Sequence, residues 1–166
     1  MCKRVMKTIL VIDDTEDVRS LIATVLTNYG FTVREAPDGQ LGVRMIADEK
    51  PDLVICDVNM PAMSGYETLA AVRESSQTAT IPFILMTGLD SRDGFRRGMV
   101  CGADDYLVKP FTADELIEAV MSRLERQSDV QLEADKRAQK LHEYAAHYPF
   151  PELAGSIDDT IGSAVA

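Results

Sequence analysis

Cysteine is scarce: Cys2, Cys56 and Cys101 are the three in the chain, an odd number with no C-x-x-C spacing. That argues against a disulfide framework or a thiolate metal site and for buried free thiols in a reducing compartment. Basic charge is also short. Lys and Arg number 17 against 27 Asp and Glu, giving a net charge of -10 and a pI near 4.6. Direct nucleic-acid binding needs a basic face, so that class is set aside. Long apolar runs are missing as well: after the basic MCKRVMK only ILVI (9–12) precedes Asp13. Four residues are far too few for a signal-peptide core or a membrane span, so a cytoplasmic protein is expected. No internal repeat or low-complexity segment is visible.

What the chain does contain is a regular alternation of short apolar runs with helical periodicity. The hydrophobic fraction of 46% and charged fraction of 27% are those of an ordinary globular protein. TILVID (8–13), FTVREA (31–36), DLVICD (52–57), IPFILMT (81–87) and DDYLVK (104–109) read as strands. Between them lie helices over about Glu16–Tyr29, from PDGQ through Ile46, over Gly65–Glu74 and, more weakly, over Ser91–Val100. Gly30 is the stop of the first helix, and Thr112 with the acids behind it starts the last. Five strands alternating with five helices predict an α/β fold, a doubly wound parallel sheet covered by helices on both faces.

The stretch VIDDTED (11–17) poses a question, because clustered carboxylates repel. At ~4 Å and an effective dielectric of about 20, each like-charge pair costs on the order of 4 kcal/mol. In an open α/β sheet, ligands sit beyond the carboxyl ends of the strands. Asp13 and Asp14 follow strand one there, Asp57 ends strand three, Thr87 strand four, and Lys109 strand five. Each has a plain alternative: Asp14 a helix cap, Asp57 a turn starter, Thr87 a strand end, Lys109 a solvated lysine. Five such residues on one edge make a stronger signal than any one of them.

The chemistry of that set is coherent. Mg²⁺ takes one or two carboxylates, keeps waters and binds phosphoryl oxygens. A carboxylate can act as a nucleophile and form an aspartyl-phosphate, whose oxygens need positive charge and hydrogen bonds. Mg²⁺, the Lys109 ammonium and the Thr87 hydroxyl could supply these. Asp57, on the middle strand, is the central candidate.

The segments VIDDTED, DLVICDVNMPAMSGYE, FILMTG and GADDYLVKPF occur in order over about residues 6–126. This pattern resembles the receiver domain of two-component response regulators. The resemblance implies a flavodoxin-like sheet of five parallel strands in the order 2-1-3-4-5. It implies Asp57 as phospho-acceptor and Asp14 as the main side-chain Mg²⁺ ligand, with Asp13 holding the metal's waters and Asn59 lending its backbone carbonyl. Thr87 resembles the switch hydroxyl and Tyr106 the aromatic that turns inward behind it. Lys109 resembles the phosphoryl partner, aimed by a cis Lys109-Pro110 peptide, and Gly65 matches the turn glycine. The resemblance further implies self-catalysed phosphorylation from a histidine kinase or phosphotransfer protein, and self-dephosphorylation tuned at Asn59 and Leu89. It implies no classical enzyme beyond these steps. Gly88 departs from the commonest pattern, where Ala is frequent.

From Thr112 to about His147 no Gly or Pro interrupts the chain, until PFP at 149–151. At 1.5 Å per residue that helix is a rod of about 50 Å, an extension of the final receiver helix. Read at 3–4 spacing, its seam is Ile117, Val120, Leu124, Gln127, Gln131, Ala134, Ala138, Leu141, Ala145 and Tyr148. Apolar ends around a polar middle suggest a mediocre coiled coil and a parallel homodimer, against a plain solvated helix. The expected organisation is a receiver over 6–126, a helical linker over 127–148 and a flexible tail or the start of a further domain over 149–166. A receiver fragment of a hybrid histidine kinase or other multidomain regulator is the alternative. A metal-dependent phosphohydrolase would want a second acid where Asn59 stands. A flavin domain would want a hydroxyl- and glycine-rich loop where DDTED stands.

Overall fold

In the computed structural model, which describes residues 6–88 and 102–146, the apolar runs line up as one sheet. Its strands are β1 (Thr8–Ile12), β2 (Thr32–Ala36), β3 (Leu53–Asp57), β4 (Phe83–Gly88) and β5 (Asp105–Lys109). All pairings are parallel and the order is β2-β1-β3-β4-β5, as the resemblance implied. The helices are α1 (Glu16–Asn28), α2 (Gly39–Glu49), α3 (Gly65–Glu74) and α4 (Ala113–Ala146). The helix expected at 91–100 lies outside the described residues, together with Leu89, Cys2, Cys101, His147, Tyr148 and the tail.

Side-chain alternation along the strands explains why the runs are continuously apolar. Ile9 and Val11 of β1 join Leu53, Ile55, Ile84 and Met86 in one cluster, closed by Ile22 and Leu26 of α1 and by Leu116, Ile117, Val120 and Leu124 of α4. Leu10 and Ile12 turn the other way and meet Val54, Cys56, Phe83 and Leu85, closed by Ile46 of α2 and by Leu69 and Val72 of α3. Both faces of the central strands are thus buried, at roughly 1.5–3 kcal/mol per large side chain. Cys56 is buried and free, as its apolar surroundings suggested. Burial, then the nearby carboxylates of Asp57 and Asp13, push its thiol well above the usual range.

Local chemistry sets the element ends. Gly30, at φ +91°, turns the chain after α1, and its N–H donates to the Thr27 carbonyl at 2.9 Å. Helix α2 runs three residues past Ile46, because its stop is Lys50 in the left-handed region (φ 47°) and not a break in periodicity. Strand β4 starts at Phe83 because Pro82 has no N–H to give; its carbonyl instead accepts from Val54 at 2.9 Å. Helix α4 opens as expected at Thr112, whose hydroxyl accepts from the Glu115 N–H at 3.2 Å while Glu115 reaches back to the Thr112 N–H at 2.7 Å.

The described residues fall into two compact units, one ending at Leu124 and the other beginning at Glu125. In the second, Gln131 donates to Asp135 at 2.9 Å, and Val130, Leu132 and Leu141 are exposed. No helix among the described residues is long and apolar enough to cross a membrane.

Candidate functional site

The carboxyl ends of β1, β3 and β5 converge on one ammonium. Lys109 Nζ donates to Asp57 Oδ1 at 2.7 Å and to Asp13 Oδ2 at 2.9 Å. Both carboxylates are buried, with relative exposures of 1% for Asp13 and 6% for Asp57. Burial works against the charge on Lys109. The hydrogen bonds to Asp57 and Asp13, with the attraction of both carboxylates, outweigh it and hold the ammonium above the ordinary lysine value.

The remaining carboxylate oxygens are also engaged. Asp57 Oδ2 accepts the Asn59 N–H at 3.0 Å, a turn bond that fixes the carboxylate's orientation. Asp13 Oδ1 accepts the Thr15 N–H at 2.9 Å. The two adjacent acids therefore differ: Asp13 points into the site, while Asp14 is exposed. Thr15 is the N-cap of α1, so the plain alternative of Asp14 as helix cap does not apply.

Thr87 is buried near the end of β4, one residue beyond Met86, the register partner of Asp57. Its hydroxyl donates to the Gly88 carbonyl at 3.4 Å. Tyr106 pairs with Leu85 in the neighbouring strand and packs, half-buried, against the cluster that contains Cys56. The Lys109-Pro110 peptide is cis. Asn59 brings its backbone to Asp57 and leaves its side chain exposed.

Gly65 is required by close approach. A Cβ there would collide with the Asp57 carbonyl oxygen and lie 2.9 Å from Val58 Cα, both backbone atoms that cannot swing away. Ser64 caps α3 in a reciprocal box with Glu67, and the Gly65 N–H donates to the Val58 carbonyl at 3.0 Å. The β3–α3 loop is thus pulled back onto the end of β3. S-x-x-E at 64–67 is the signal that could have located this cap from sequence.

The donor set fits Mg²⁺. One ammonium spans Asp13 and Asp57, so a single cation reaches both carboxylates. Among the described residues no three His, Cys, Asp or Glu side chains form a metal cage by themselves. Mg²⁺ asks for no such cage: one or two carboxylates, further oxygens and several waters suffice.

A five-stranded parallel sheet in this order, with an acid pair, a central aspartate and a lysine at one edge, defines a receiver. The chain belongs to the response regulator receiver domain family, whose model matches residues 9–121. The chain is 37% identical over 120 residues to the phosphate regulon transcriptional regulatory protein PhoB of Pseudomonas aeruginosa, a match covering 72% of this chain and 52% of that protein. To Protein PilG of the same organism it is 33% identical over 116 residues, covering 70% and 86%. The solved chemotaxis response regulator CheY4 of Vibrio cholerae is similar, with a TM-score of 0.68, 32% identity and coverage of 72% of this chain and 99% of that one. The chain spans about half the length of PhoB. Two-component phosphorelay signalling is the business of this family, whose members interact with histidine kinases or phosphotransfer proteins.

Proposed function

We propose that Asp57 accepts a phosphoryl group from the phosphohistidine of a histidine kinase or phosphotransfer protein, with Mg²⁺ held beside it by Asp13, Asp14, Asp57 and the Asn59 carbonyl. The observation that carries this reading is Lys109 bridging Asp57 and Asp13 at 2.7 and 2.9 Å on the sheet edge. An Asp57 oxygen attacks phosphorus, a P–O bond forms, and the P–N bond to the donor imidazole breaks. The imidazole leaves with the bonding pair. Bound Mg²⁺ supplies positive charge against the phosphoryl oxygens. Lys109 follows the new negative charge, Thr87 donates its hydroxyl to it, and Tyr106 turns inward behind Thr87. Hydrolysis of the acyl phosphate resets the domain.

In this reading residues 6–126 are the receiver and 127–148 a linker whose described part, as far as Ala146, is helical; 149–166 lie outside the described residues. The switch controls association of two copies through α4 or binding of a partner protein. Exposed Val130 and Leu141, which fall on one face of an uninterrupted helix, support the pairing, and the net charge of -10 supports a protein partner over nucleic acid. The cytoplasm, where such donors are found, is the proposed location.

Borohydride reduction after treatment with acetyl phosphate and Mg²⁺ tests the acceptor. Peptide mapping is expected to find homoserine at position 57. Homoserine at another aspartate, or none at all, would reject the assignment.

A further inference from the structure

Arg19 belongs to none of the motifs read above, yet it touches the acid pair. It lies one turn into α1, its backbone N–H donating to the Thr15 carbonyl at 3.0 Å. Its side chain is only 13% exposed, and its Nη1 donates to the backbone carbonyl of Asp13 at 2.7 Å. Behind it, Nε sits 3.5 Å from Oε2 of Glu35 on β2, a charge pair without a hydrogen bond.

That contact completes the anchoring of Asp13. Its N–H donates to the Ala36 carbonyl at 3.2 Å, Oδ1 accepts from Thr15, Oδ2 from Lys109, and the carbonyl from Arg19. The carbonyl bond matters most for the neighbour. The Asp13 carbonyl and the Asp14 nitrogen and Cα share one rigid peptide plane. With the Thr15 N–H held by Asp13 Oδ1 at 2.9 Å on the far side, both peptides that flank Asp14 are anchored, and together they set the direction of its Cα–Cβ bond. The Asp14 carboxylate is exposed and makes no hydrogen bond among the described residues, so no side-chain partner holds its rotamer and its backbone alone limits where it can reach.

We infer that Arg19 is a positioning residue for the cation site: it clamps the Asp13 carbonyl, is steadied by Glu35, and so directs Asp14 toward the edge where Asp13 and Asp57 meet. The inference rests on the proposal that Asp14 is a Mg²⁺ ligand. A competing role has the opposite sign. If Arg19 acted only through its charge, it would repel a cation, and its removal would tighten Mg²⁺ binding.

Calorimetric titration with MgCl₂ of the full chain and its variants separates these cases. Metal-free melting of each protein would be recorded alongside, since a merely structural role would move melting and leave the affinity of the folded protein unchanged. Arg19→Met is expected to weaken Mg²⁺ binding roughly tenfold, as loss of a residue that orients a metal ligand typically does. Arg19→Lys, which keeps the positive charge but loses the Nη1 donor that reaches the Asp13 carbonyl, is expected to weaken it a few-fold and carries the test if Arg19→Met does not fold. Unchanged or tighter binding in the variant that folds overturns the inference. Asp14→Asn is the control on the underlying reading. If it binds Mg²⁺ as well as the wild type, or if the wild type does not bind, the ligand assignment fails and the inference falls with it.

Discussion

Lys109 Nζ lies 2.7 Å from Asp57 Oδ1, so the candidate nucleophile is held by the group proposed to receive its phosphoryl charge. The same ammonium neutralises Asp13 at 2.9 Å. Truncating it leaves two buried carboxylates with one fewer counter-charge, and breaking such a pair is more damaging than never having formed it. Lys109→Met is therefore expected to lower the urea midpoint of the metal-free protein by an amount that Mg²⁺ largely restores. A variant that is equally stable with and without Mg²⁺ would count against a shared cation position.

The same pair sets a pH dependence. The folded value of Lys109 lies above the ordinary 10.5, so its contribution is complete below that value and is lost as pH rises through the folded one. The stability difference between wild type and Lys109→Met is expected to hold constant from neutral pH to about 10 and to shrink above 10.5. Chemical denaturation across that range provides the check. A gap that widens with alkali would mean the ammonium is not stabilised by its partners.

Gly65→Ala addresses the loop behind Asp57. The new methyl would meet the Asp57 carbonyl oxygen, which is main chain, so either α3 or the end of β3 shifts. The expected loss is about 1–3 kcal/mol in unfolding free energy. Phosphoryl labelling should also slow, because the Asp57 carboxylate moves with its backbone. Normal labelling in a destabilised protein would separate the loop's structural role from any effect on the acceptor.

Ala62, in the same loop, has φ 67°, a conformation that disfavours a side chain. Ala62→Gly is expected to stabilise the protein by about 0.5–1 kcal/mol, relief of that strain exceeding the added freedom of the unfolded chain. A fall in melting temperature would show that the loop gains nothing from glycine there.

Much of the architecture was legible because burial on two faces leaves a plain mark. LVICD could be read as a central strand since Leu53 and Ile55 face one helical layer and Val54 and Cys56 the other. Element ends were harder. The end of α2 at Glu49 depends on a left-handed Lys50, and no residue-type rule selects lysine for that conformation. The convergence of Asp13, Asp57 and Lys109 followed from strand order, because parallel strands deliver their carboxyl ends to one edge. The difference between Asp13 and Asp14 did not, since it depends on how the chain leaves β1. Arg19 was invisible for a related reason. It binds a backbone carbonyl, and a main-chain acceptor constrains no partner residue type.

The central claim is that Asp57 takes up one phosphoryl group with the help of Mg²⁺. Intact-protein mass after incubation with acetyl phosphate, in Mg²⁺ and in EDTA, for wild type and Asp57→Asn, tests it most directly. A gain of one phosphoryl group in the wild type with Mg²⁺, absent in EDTA and absent in Asp57→Asn, is the predicted result. The same gain in Asp57→Asn, or an equal gain in EDTA, would contradict it.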